Sequence, residues 1–455
     1  MSGKRKGAYS VLVFMLAVMV ALVGCSKSNS TEPPKPSESQ QNSAQPTNSD
    51  KPRENVKLSM AIVGNQDALD SVKMRLDKYL DKSLNITVDV TVTSGGEYWD
   101  KVTTMFAGGT PPDILQMSEP FQKFARQGVL LDLDPLIEAS PTFNKPDFFK
   151  PALEFFQYDG KQYGIPGDLN TWVVFYNEDL FANAGLKTPW EYYQEGNWTW
   201  ETYLELAKKL TIKEGNRYVQ FGSTYPWING WSYSAWVFSN GGTYLNEDMT
   251  KSTVTDPKTV AAFKYTTELA NLYQVAPSDL IGGDLSGMSF QTGKIAMQTE
   301  GSWWIGGYKD SEFKWNIAPM PVANGSIDPL TSYTHNSGYS IAKASKYPQE
   351  AWAVLEALAK PESYADDAAL RGVIPPRPSV VEDNPILDAP GMPSNAGVIA
   401  QMLEKGKLFQ FSPTYAEEND VYWNVGQEIL SKALTPEDGA AKIAEQVNAI
   451  LAQNP

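Results

Sequence analysis

The spacing of hydrophobic residues early in the chain alternates between strand-like and helix-like patterns. Val56–Val63 is a short apolar segment that is typical of a buried strand. Apolar residues recur three and four positions apart over 69–80, which predicts an amphipathic helix, and every second residue is apolar over 86–92, as in a half-buried strand. A further helix is predicted around 102–106 and a short strand around 112–115.

Later helices are marked by residues that favour helix starts. Asp256 and Thr435 each precede a proline, which places an N-cap residue before the first helical position. Pro348 precedes another segment with helical spacing. Strands that alternate with helices predict α/β layers around a mostly parallel sheet. A body of about 400 residues is too long for one core, so we expect two such lobes.

The N-terminus has the organisation of a secretory signal peptide. Basic residues at 4–6 precede an apolar run over 11–23, which is shorter than the roughly 20 residues that a membrane span needs. The run ends at Cys25, the only cysteine of the chain, in a context that resembles a bacterial lipobox. We predict a signal peptide over 1–24 and lipidation of Cys25, with an ordinary secretory signal as the alternative.

The segment that follows Cys25 is polar. Residues 26–55 contain no aromatic residue and no Leu, Ile or Val, so they cannot bury enough surface to fold. We therefore predict a disordered, lipid-anchored tether over 25–55. Loss of the three basic residues in the signal peptide changes the net charge from −15 to −18, which disfavours adhesion to anionic lipid head groups.

Composition and charge exclude several classes of function. With 53 acidic and 38 basic residues, the chain lacks the basic surface that nucleic-acid binding requires. A single histidine, His335, and a single cysteine exclude a metal site built on several such ligands, and no cofactor is implied. No phosphate-binding loop, nucleophile elbow or dinucleotide fingerprint is present. A glycosidase needs only two carboxylates, so that alternative stays open.

Tryptophan is abundant, with 13 residues in a chain that is 12 % aromatic. Trp200 and Trp352 are predicted to be core residues from their helical spacing. Trp227 and Trp231 follow a Pro and a Gly directly, and Trp303 comes two residues after a Gly, in contexts typical of loops. An indole on a loop offers a flat face to a sugar ring, while nearby polar groups bond its hydroxyls. Carbohydrate binding and core packing are therefore the two interpretations of this aromatic content.

Short motifs resemble one family in their order and spacing. Residues 158–166 (YDGKQYGIP) and 174–186 (VFYNEDLFANAGL) resemble segments of the extracellular solute-binding proteins of ABC importers. The resemblance is closest to the sugar-binding branch, typified by maltodextrin-binding protein. Further matching segments lie at 105–114, 240–242, 290–303, 338–341 and 372–375.

The resemblance implies an α/β fold of the two-lobed periplasmic-binding-protein type, similar to type II, whose lobes are joined by three hinge crossings. These crossings would fall near 166–171, 337–341 and 371–376. The implied division is lobe 1 over 56–167 plus 341–374, and lobe 2 over 168–340 plus 375–455.

The same resemblance implies binding without chemistry. A carbohydrate, with an oligosaccharide favoured, would be captured between the lobes and delivered to the transmembrane subunits of an ABC permease. The chain would be a monomer outside the cytoplasm, held to the cell membrane through its lipid anchor alone, and a Gram-positive surface is favoured.

Residues expected to contact the ligand follow from the motifs. Trp303 matches the stacking tryptophan of the family's G-x-W segment, and Trp231, with Trp227 as a neighbouring alternative, precedes the Gly-Gly turn. Asp168 and Asn170 lie on the first crossing, where the sugar-binding branch has a polar contact. The remaining candidates lie at strand ends, at the third crossing or near the C-terminus: Glu119, Asn65, Gln66, Glu300, Arg371, Tyr422 and Trp423. His335 and Asp113 are expected to be structural.

Other functions remain as alternatives at this point. The same fold serves a polyamine, a peptide or glycerol phosphate, and phosphate would need more arginine than the one placed here. A surface glycosidase would turn over an oligosaccharide, whereas a binding protein would not. A sensory co-receptor for a membrane kinase has no distinguishing feature in the sequence.

Overall fold

The computed structural model describes residues 54–224, 230–278, 285, 287–325, 327–382, 392–409 and 411–454, with the backbone alone at 96 and 230–233. The predicted signal peptide, Cys25, nearly all of the tether and Trp227 lie outside these residues. The strands are β1 Val56–Val63, β2 Ile86–Thr93, β3 Ile114–Met117, β4 Gln157–Tyr158, β5 Lys161–Gln162, β6 Ile165–Asn177, β7 Ile212–Glu214, β8 Arg217–Ser223, β9 Ile295–Gly301, β10 Trp315–Pro319, β11 Tyr333–Ile341 and β12 Lys407–Leu408.

The helices surround these strands in sequence and space. They are α1 Gln66–Tyr79, α2 Gly95–Ala107, α3 Phe121–Arg126, α4 Asp134–Ala139, α5 Lys150–Phe155, α6 Glu178–Asn183, α7 Pro189–Gln194, α8 Trp200–Lys209, α9 Gly230–Ser239, α10 Pro257–Asn271, α11 Ile305–Tyr308, α12 Pro348–Leu358, α13 Pro361–Arg371, α14 Pro378–Glu382, α15 Val398–Lys405, α16 Tyr415–Leu430 and α17 Pro436–Gln453. Short 3-10 turns lie at Lys82–Leu84, Lys145–Asp147 and Ser302–Trp304. Among the described helices, none is both long and apolar enough to cross a bilayer.

The locally encoded elements form where the sequence predicts them. The spacing over 69–80 and 86–92 becomes α1 and β2, and α1 buries Val72 and Leu76 against the sheet. The predicted helix starts are also confirmed. The Asp256 side chain accepts a hydrogen bond from the Lys258 backbone, and Thr435 accepts one from Asp438, so each caps its helix.

The main sheet is mixed, so the expectation of a mostly parallel sheet is wrong. Its strand order is β2-β1-β3-β11-β6-β9-β8-β7, with β10 beside β6 and β12 beside β11. Pairs β1–β2, β1–β3, β8–β9 and β11–β12 are parallel. The central strands β6 and β11 pair antiparallel with each other, and each also has a further antiparallel neighbour.

Strand β6 changes partners along its length. Its first half, from Ile165 to Thr171, pairs with β11, whereas Trp172–Asn177 pairs with β9 and β10. The segment after α13 lies beside the first half, where the Leu169 backbone N–H donates to the Ile374 carbonyl at 3.0 Å. All three predicted crossing segments therefore meet at β6.

A close main-chain contact holds the segment after α13 in place. Gly372 ends α13 with a φ of 68°, a conformation that favours glycine. A Cβ on Gly372 would lie 2.8 Å from the Cα of Gly306, and a Cβ on Gly306 would overlap the Arg371 carbonyl oxygen. Both positions need glycine because the two backbones touch directly.

Hydrophobic residues pack on both faces of the sheet. Trp200 and Trp352 are 8 % and 5 % exposed, which confirms both as core residues. Trp198, Trp236 and Trp315 are buried as well. Much of the aromatic content therefore stabilises the fold, and fewer indoles remain to contact a ligand.

Candidate functional site

A carboxylate–imidazole contact lies where the end of β3 faces β11. Glu119 follows β3, and its Oε1 lies 3.3 Å from Nε2 of His335 on β11. The Ser118 hydroxyl donates to the other carboxylate oxygen. Burial alone would raise the pKa of Glu119, but the attraction of His335 and these hydrogen bonds lower it to about 2. Glu119 is therefore a strong, permanently ionised hydrogen-bond acceptor near neutral pH.

Aromatic rings surround the His335 side chain. Its ring centroid lies 5.9 Å from that of Trp303, and 6.0 Å from those of Phe155 and Phe411. Trp303 in turn packs edge-on against Trp172, with centroids 5.4 Å apart. Trp303 is partly buried, so some of its surface remains exposed.

Gly301 makes this position of Trp303 possible. A Cβ at residue 301 would overlap the Trp303 ring, which lies directly over the end of β9. The Gly-x-Trp spacing of the sequence thus has a physical reason: the glycine leaves the space that the indole occupies.

Two cavities have Glu119 in their linings. The inner cavity has a volume of about 150 Å³ and is lined by Glu119, Phe121, Gln122, Glu154, Phe155, Met249, Leu408, Phe409 and Phe411. The outer cavity has a volume of about 280 Å³ and is lined by Trp99, Glu119, Pro120, Lys123, Ser412, Pro413, Tyr415, Ala416 and Asn419. Aromatic side chains outnumber charged ones in the lining of the inner cavity, and the two kinds are equal in number in the outer cavity. Sites that bind neutral organic ligands are likewise lined largely by apolar and aromatic groups.

Asp168 and Asn170 form a buried hydrogen-bond chain next to this site. The Asp168 carboxylate accepts hydrogen bonds from Asn170 and, through both backbone and hydroxyl, from Ser337. Asn170 accepts from the Ser302 hydroxyl at 3.1 Å, and Gln116 donates to Ser337 at 3.1 Å. Burial raises the pKa of Asp168, and the positive charge of Arg371 partly offsets this increase. The predicted pair therefore links β3, β11, β6 and the turn that carries Trp303.

Arg371 lies in an ion-pair network. Its guanidinium donates two hydrogen bonds to the Asp367 carboxylate, at 2.5 and 2.7 Å, and Arg75 approaches the same carboxylate at 2.8 Å. Burial would raise the pKa of Asp367, but the two arginines hold it well below its ordinary value. The predicted clamp on a ligand is thus engaged with a protein carboxylate.

Glu300 lies on the opposite face of the sheet from Trp172. It pairs with Val173, whereas Trp172 pairs with Gly301, and successive residues of a strand face opposite sides. Burial raises the pKa of Glu300 to about 7. A hydrogen bond from the Gly301 backbone N–H to Oε1 of Glu300, at 3.0 Å, partly offsets this increase. Glu300 is therefore not brought together with Glu119 and Trp303.

Other predicted contacts have structural partners or lie apart. Asn65 caps α1 by accepting from the Ala68 backbone, and Gln66 donates to Asp70. Tyr422 is buried against Tyr244, with ring centroids 5.0 Å apart, whereas Trp423 is 38 % exposed on α16. The Trp231 backbone lies in α9, and Trp227 is outside the described residues.

Asp113 and His335 differ in their roles. Asp113 accepts from Ser59 and Ser345, which joins β1 to β3 and to the chain after β11, as expected for a structural residue. His335, also expected to be structural, lies at the centre of the site.

Sequence reasoning missed Trp172, Phe155 and Phe411. Trp172 alone had a signal, because it lies two residues after Asn170 on the same strand. Among the described residues, no cluster of His, Cys, Asp and Glu is suited to a metal ion.

Comparisons with known proteins agree with this architecture. The chain is 24 % identical to the lactose-binding protein of Rhizobium radiobacter over 65 % of each chain. Its fold is similar to that of an ABC substrate-binding protein of Listeria monocytogenes in complex with cycloalternan, with a TM-score of 0.78, 25 % identity and coverage of 88 % of this chain and 100 % of the other. Maltose-bound MalE3 of T. maritima superposes with a TM-score of 0.72 and 22 % identity over 87 % of this chain and 100 % of the other.

These neighbours are two-lobed periplasmic binding proteins, which confirms the predicted fold class. A sequence profile described as "Bacterial extracellular solute-binding protein" matches residues 75–394, well over half of the chain. The chain therefore belongs to the bacterial extracellular solute-binding protein family.

Proposed function

We propose that this protein captures a neutral oligosaccharide for an ABC importer, in the site formed by Glu119, His335 and Trp303. The observation that carries the proposal is the partly buried Trp303 indole next to the contact between Glu119 and His335. A pyranose ring has apolar C–H faces that pack on an indole, and hydroxyls that donate to a carboxylate. The names of several relatives support a sugar, since they bind lactose, maltose or cycloalternan.

Charge at the site argues against a phosphorylated ligand. Arg371 is engaged by Asp367, and Lys123 is the one lysine or arginine among the described residues that line the two cavities. A phosphate group is usually bound by several basic groups or by arginine forks. Glu119 and Glu154 both line the inner cavity and would repel it. These two carboxylates among aromatic rings make a polyamine the second candidate, because cations bind to such groups.

The mechanism we propose is binding without turnover. A glycosidase needs a general acid that holds a proton near neutral pH, and the pKa of Glu119 is held at about 2. We assign the ligand to the cleft between a lobe over 56–167 plus 341–374 and a lobe over 168–340 plus 375–455. The change of partners along β6 supports a division near Asp168.

We further propose that Cys25 is lipidated and that the tether holds the monomeric domain at the outer face of the cell membrane, on a Gram-positive surface. The permease then receives the ligand directly at that membrane. This part rests on the sequence of the first 55 residues, and mass spectrometry of the membrane-extracted protein tests it: a diacylglyceryl adduct on an N-terminal Cys25 is expected.

Tryptophan fluorescence of the full chain tests the ligand class. The chain is purified in a detergent without a sugar head group and titrated with mono- and oligosaccharides, spermidine and glycerol 3-phosphate. A saturable shift with one saccharide and no hydrolysis product is expected. Trp303→Ala should weaken that binding at least tenfold, since a buried aromatic anchor is worth about 2 kcal/mol or more. The neighbouring Trp304→Ala is the control, because Trp304 is 37 % exposed and stacks on Tyr308.

Two other outcomes of this titration would indicate a different ligand or a different function. A response to spermidine alone would replace the sugar by a polyamine. Release of shorter saccharides would identify a glycosidase instead.

A further inference from the structure

His335 lies against Glu119 in a mostly buried place. Its Nε2 atom is 3.3 Å from Oε1 of Glu119, and the two side chains are 11 % and 22 % exposed. Burial would raise the pKa of Glu119, and attraction by His335 is the largest of the effects that lower it to about 2. No water molecule fits between two atoms at this distance, so the carboxylate feels a charge on the imidazole with little screening.

The other neighbours of the imidazole are aromatic rings. The ring centroids of Trp303, Phe155 and Phe411 lie 5.9, 6.0 and 6.0 Å from that of His335. These rings carry no net charge, so none of them competes with Glu119 for a charge on the imidazole. The surroundings therefore direct the charge of His335 to one carboxylate.

The second carboxylate of the inner cavity already has a cationic partner. Glu154 lines that cavity together with Glu119, and its Oε1 lies 3.4 Å from Nζ of Lys150 on the same helix. Glu119 has the matching partner in His335 when the imidazole is protonated. With a neutral imidazole, the negative charge of Glu119 would be presented to the ligand without that compensation, and it would attract cations.

We propose that His335 determines the charge class of the ligand: its imidazolium neutralises the charge of Glu119, so the site accepts neutral saccharides and rejects polyamine cations. This inference rests on the proposed function, which places the ligand beside Glu119. A carboxylate paired in this way keeps lone pairs for sugar hydroxyls, whereas the repulsion by the imidazolium acts on cations alone. Loss of the imidazole proton at higher pH reverses the preference, since Glu119 then attracts cations.

A pH effect on binding can be assigned to this one side chain. His335 is the only histidine of the chain, so no second imidazole changes charge between pH 5 and 8. His335→Gln removes the imidazole and keeps every other ionisable group, so a pH effect that this variant abolishes belongs to His335. The other ionisable groups on the elements around the imidazole are Asp168 on β6, Glu154 on α5, Lys407 on β12, and Tyr415 and Glu418 on α16.

Calorimetric titration of the full chain tests the proposal. The probes are spermidine and three neutral saccharides, maltotriose, cellotriose and mannotriose, at pH 5.5 and at pH 8 with constant ionic strength. The ammonium groups of spermidine keep their charge over this range. At pH 5.5, we expect the wild type to bind one saccharide and to reject spermidine. The ratio of spermidine affinity to saccharide affinity should rise about tenfold or more in His335→Gln, because the repulsion of the cation is lost.

The pH dependence gives a second measurement on the same two chains. In the wild type, the affinity for spermidine should rise between pH 5.5 and pH 8, as the imidazole loses its proton. In His335→Gln it should be the same at both pH values. A purely structural role of His335 would not produce this difference.

Two further variants keep the test decisive. Glu119→Gln combined with His335→Gln replaces the charged pair by two amides, and it should lose the spermidine binding that His335→Gln gains. Lys161→Gln is the matched control, since it removes one positive charge from a pair with Asp132 at 2.8 Å, outside the linings of both cavities. It should change neither affinity, and thermal melting checks that each variant is folded.

The outcomes separate this inference from the proposed function. An unchanged affinity ratio in His335→Gln, or a gain of spermidine binding that survives in the double variant, would overturn the role of His335 and leave the sugar site standing. Failure of every saccharide to bind would overturn the proposed function, and spermidine binding by wild type and His335→Gln would still decide the role of His335. Spermidine binding by the wild type at pH 5.5 would contradict both.

Discussion

Ser337 donates two hydrogen bonds to the carboxylate of Asp168, one from its hydroxyl at 2.8 Å and one from its backbone N–H at 2.9 Å. The two residues face each other in the register of β6 and β11. Asn170 donates to the same carboxylate at 3.0 Å, and Asp168 is only 7 % exposed. One buried carboxylate therefore joins two long strands next to the point where β6 changes partners.

Removal of that carboxylate should destabilise the fold. Asp168→Ala leaves the donors of Ser337 and Asn170 without their acceptor in a buried place, and we expect the free energy of unfolding to fall by about 2–4 kcal/mol. Urea denaturation at pH 7 measures the change. Asp89→Ala, at an exposed position of β2, is the control and should have little effect. Equal losses in the two variants would show that the hydrogen bonds to Asp168 contribute little.

Glu119 should make the free energy of unfolding depend on pH in the acidic range. Its folded pKa of about 2 lies below its ordinary value of 4.5, so the folded state favours the ionised form. This stabilisation is fully present above about pH 4.5 and is lost as the pH falls through 2, and it amounts to about 3 kcal/mol. When the pH is lowered from 5 to 2, the free energy of unfolding of Glu119→Gln should therefore fall by about 2–3 kcal/mol less than that of the wild type. Urea denaturation at each pH measures this difference. Glu154→Gln, in the same cavity wall, serves as control, and a parallel loss in Glu119→Gln and wild type would contradict the prediction.

Glu300 should have the opposite pH dependence. Burial raises its folded pKa to about 7, so the folded state favours the protonated form. The stability linked to Glu300 is present below about pH 4.5 and is lost as the pH rises through 7. Glu300→Gln should match the wild type at pH 4 and exceed its stability by about 1–3 kcal/mol at pH 8. Thermal melting at several pH values tests this, with the exposed Glu312→Gln as control. No gain at pH 8 would mean that Glu300 is better solvated than its position indicates.

Gly301 should matter for ligand binding through Trp303. The φ of −77° at Gly301 suits alanine, so in Gly301→Ala the new methyl group displaces the indole instead of straining the backbone. We expect saccharide affinity to fall about tenfold or more, and the double variant with Trp303→Ala to lose little beyond either single variant. Gly397→Ala is the control because its Cβ would meet no atom within 4 Å. Calorimetry gives the affinities, and additive losses would disprove the link.

Local signals in the sequence predicted much of the secondary structure. The spacing in α1, the alternation in β2 and the caps Asp256 and Thr435 depend on neighbours within a few residues, so their pattern is complete in the sequence. The Gly-x-Trp motif likewise indicated a displayed indole, and the fold class followed from motifs in family order.

The composition of the site depended on contacts that are distant in the chain. Asp168 and Ser337 are 169 residues apart, and their pairing is set by the sheet register. Register also decides that Glu300 faces away from Trp172, since a shift of one residue would reverse the faces. Arg371 was expected at the ligand because the sequence does not reveal that Asp367, one turn earlier, holds its guanidinium.

The contact between Gly306 and Gly372 bears on how fast the protein can change shape. Where two backbones touch without side chains, a small shift of one against the other requires no rotamer change at either glycine. Such a shift alters only a few main-chain torsions, beginning with those of Gly372, whose φ is already in a region that glycine crosses readily. The glycine contact itself should therefore add little to the activation enthalpy of any movement at this point.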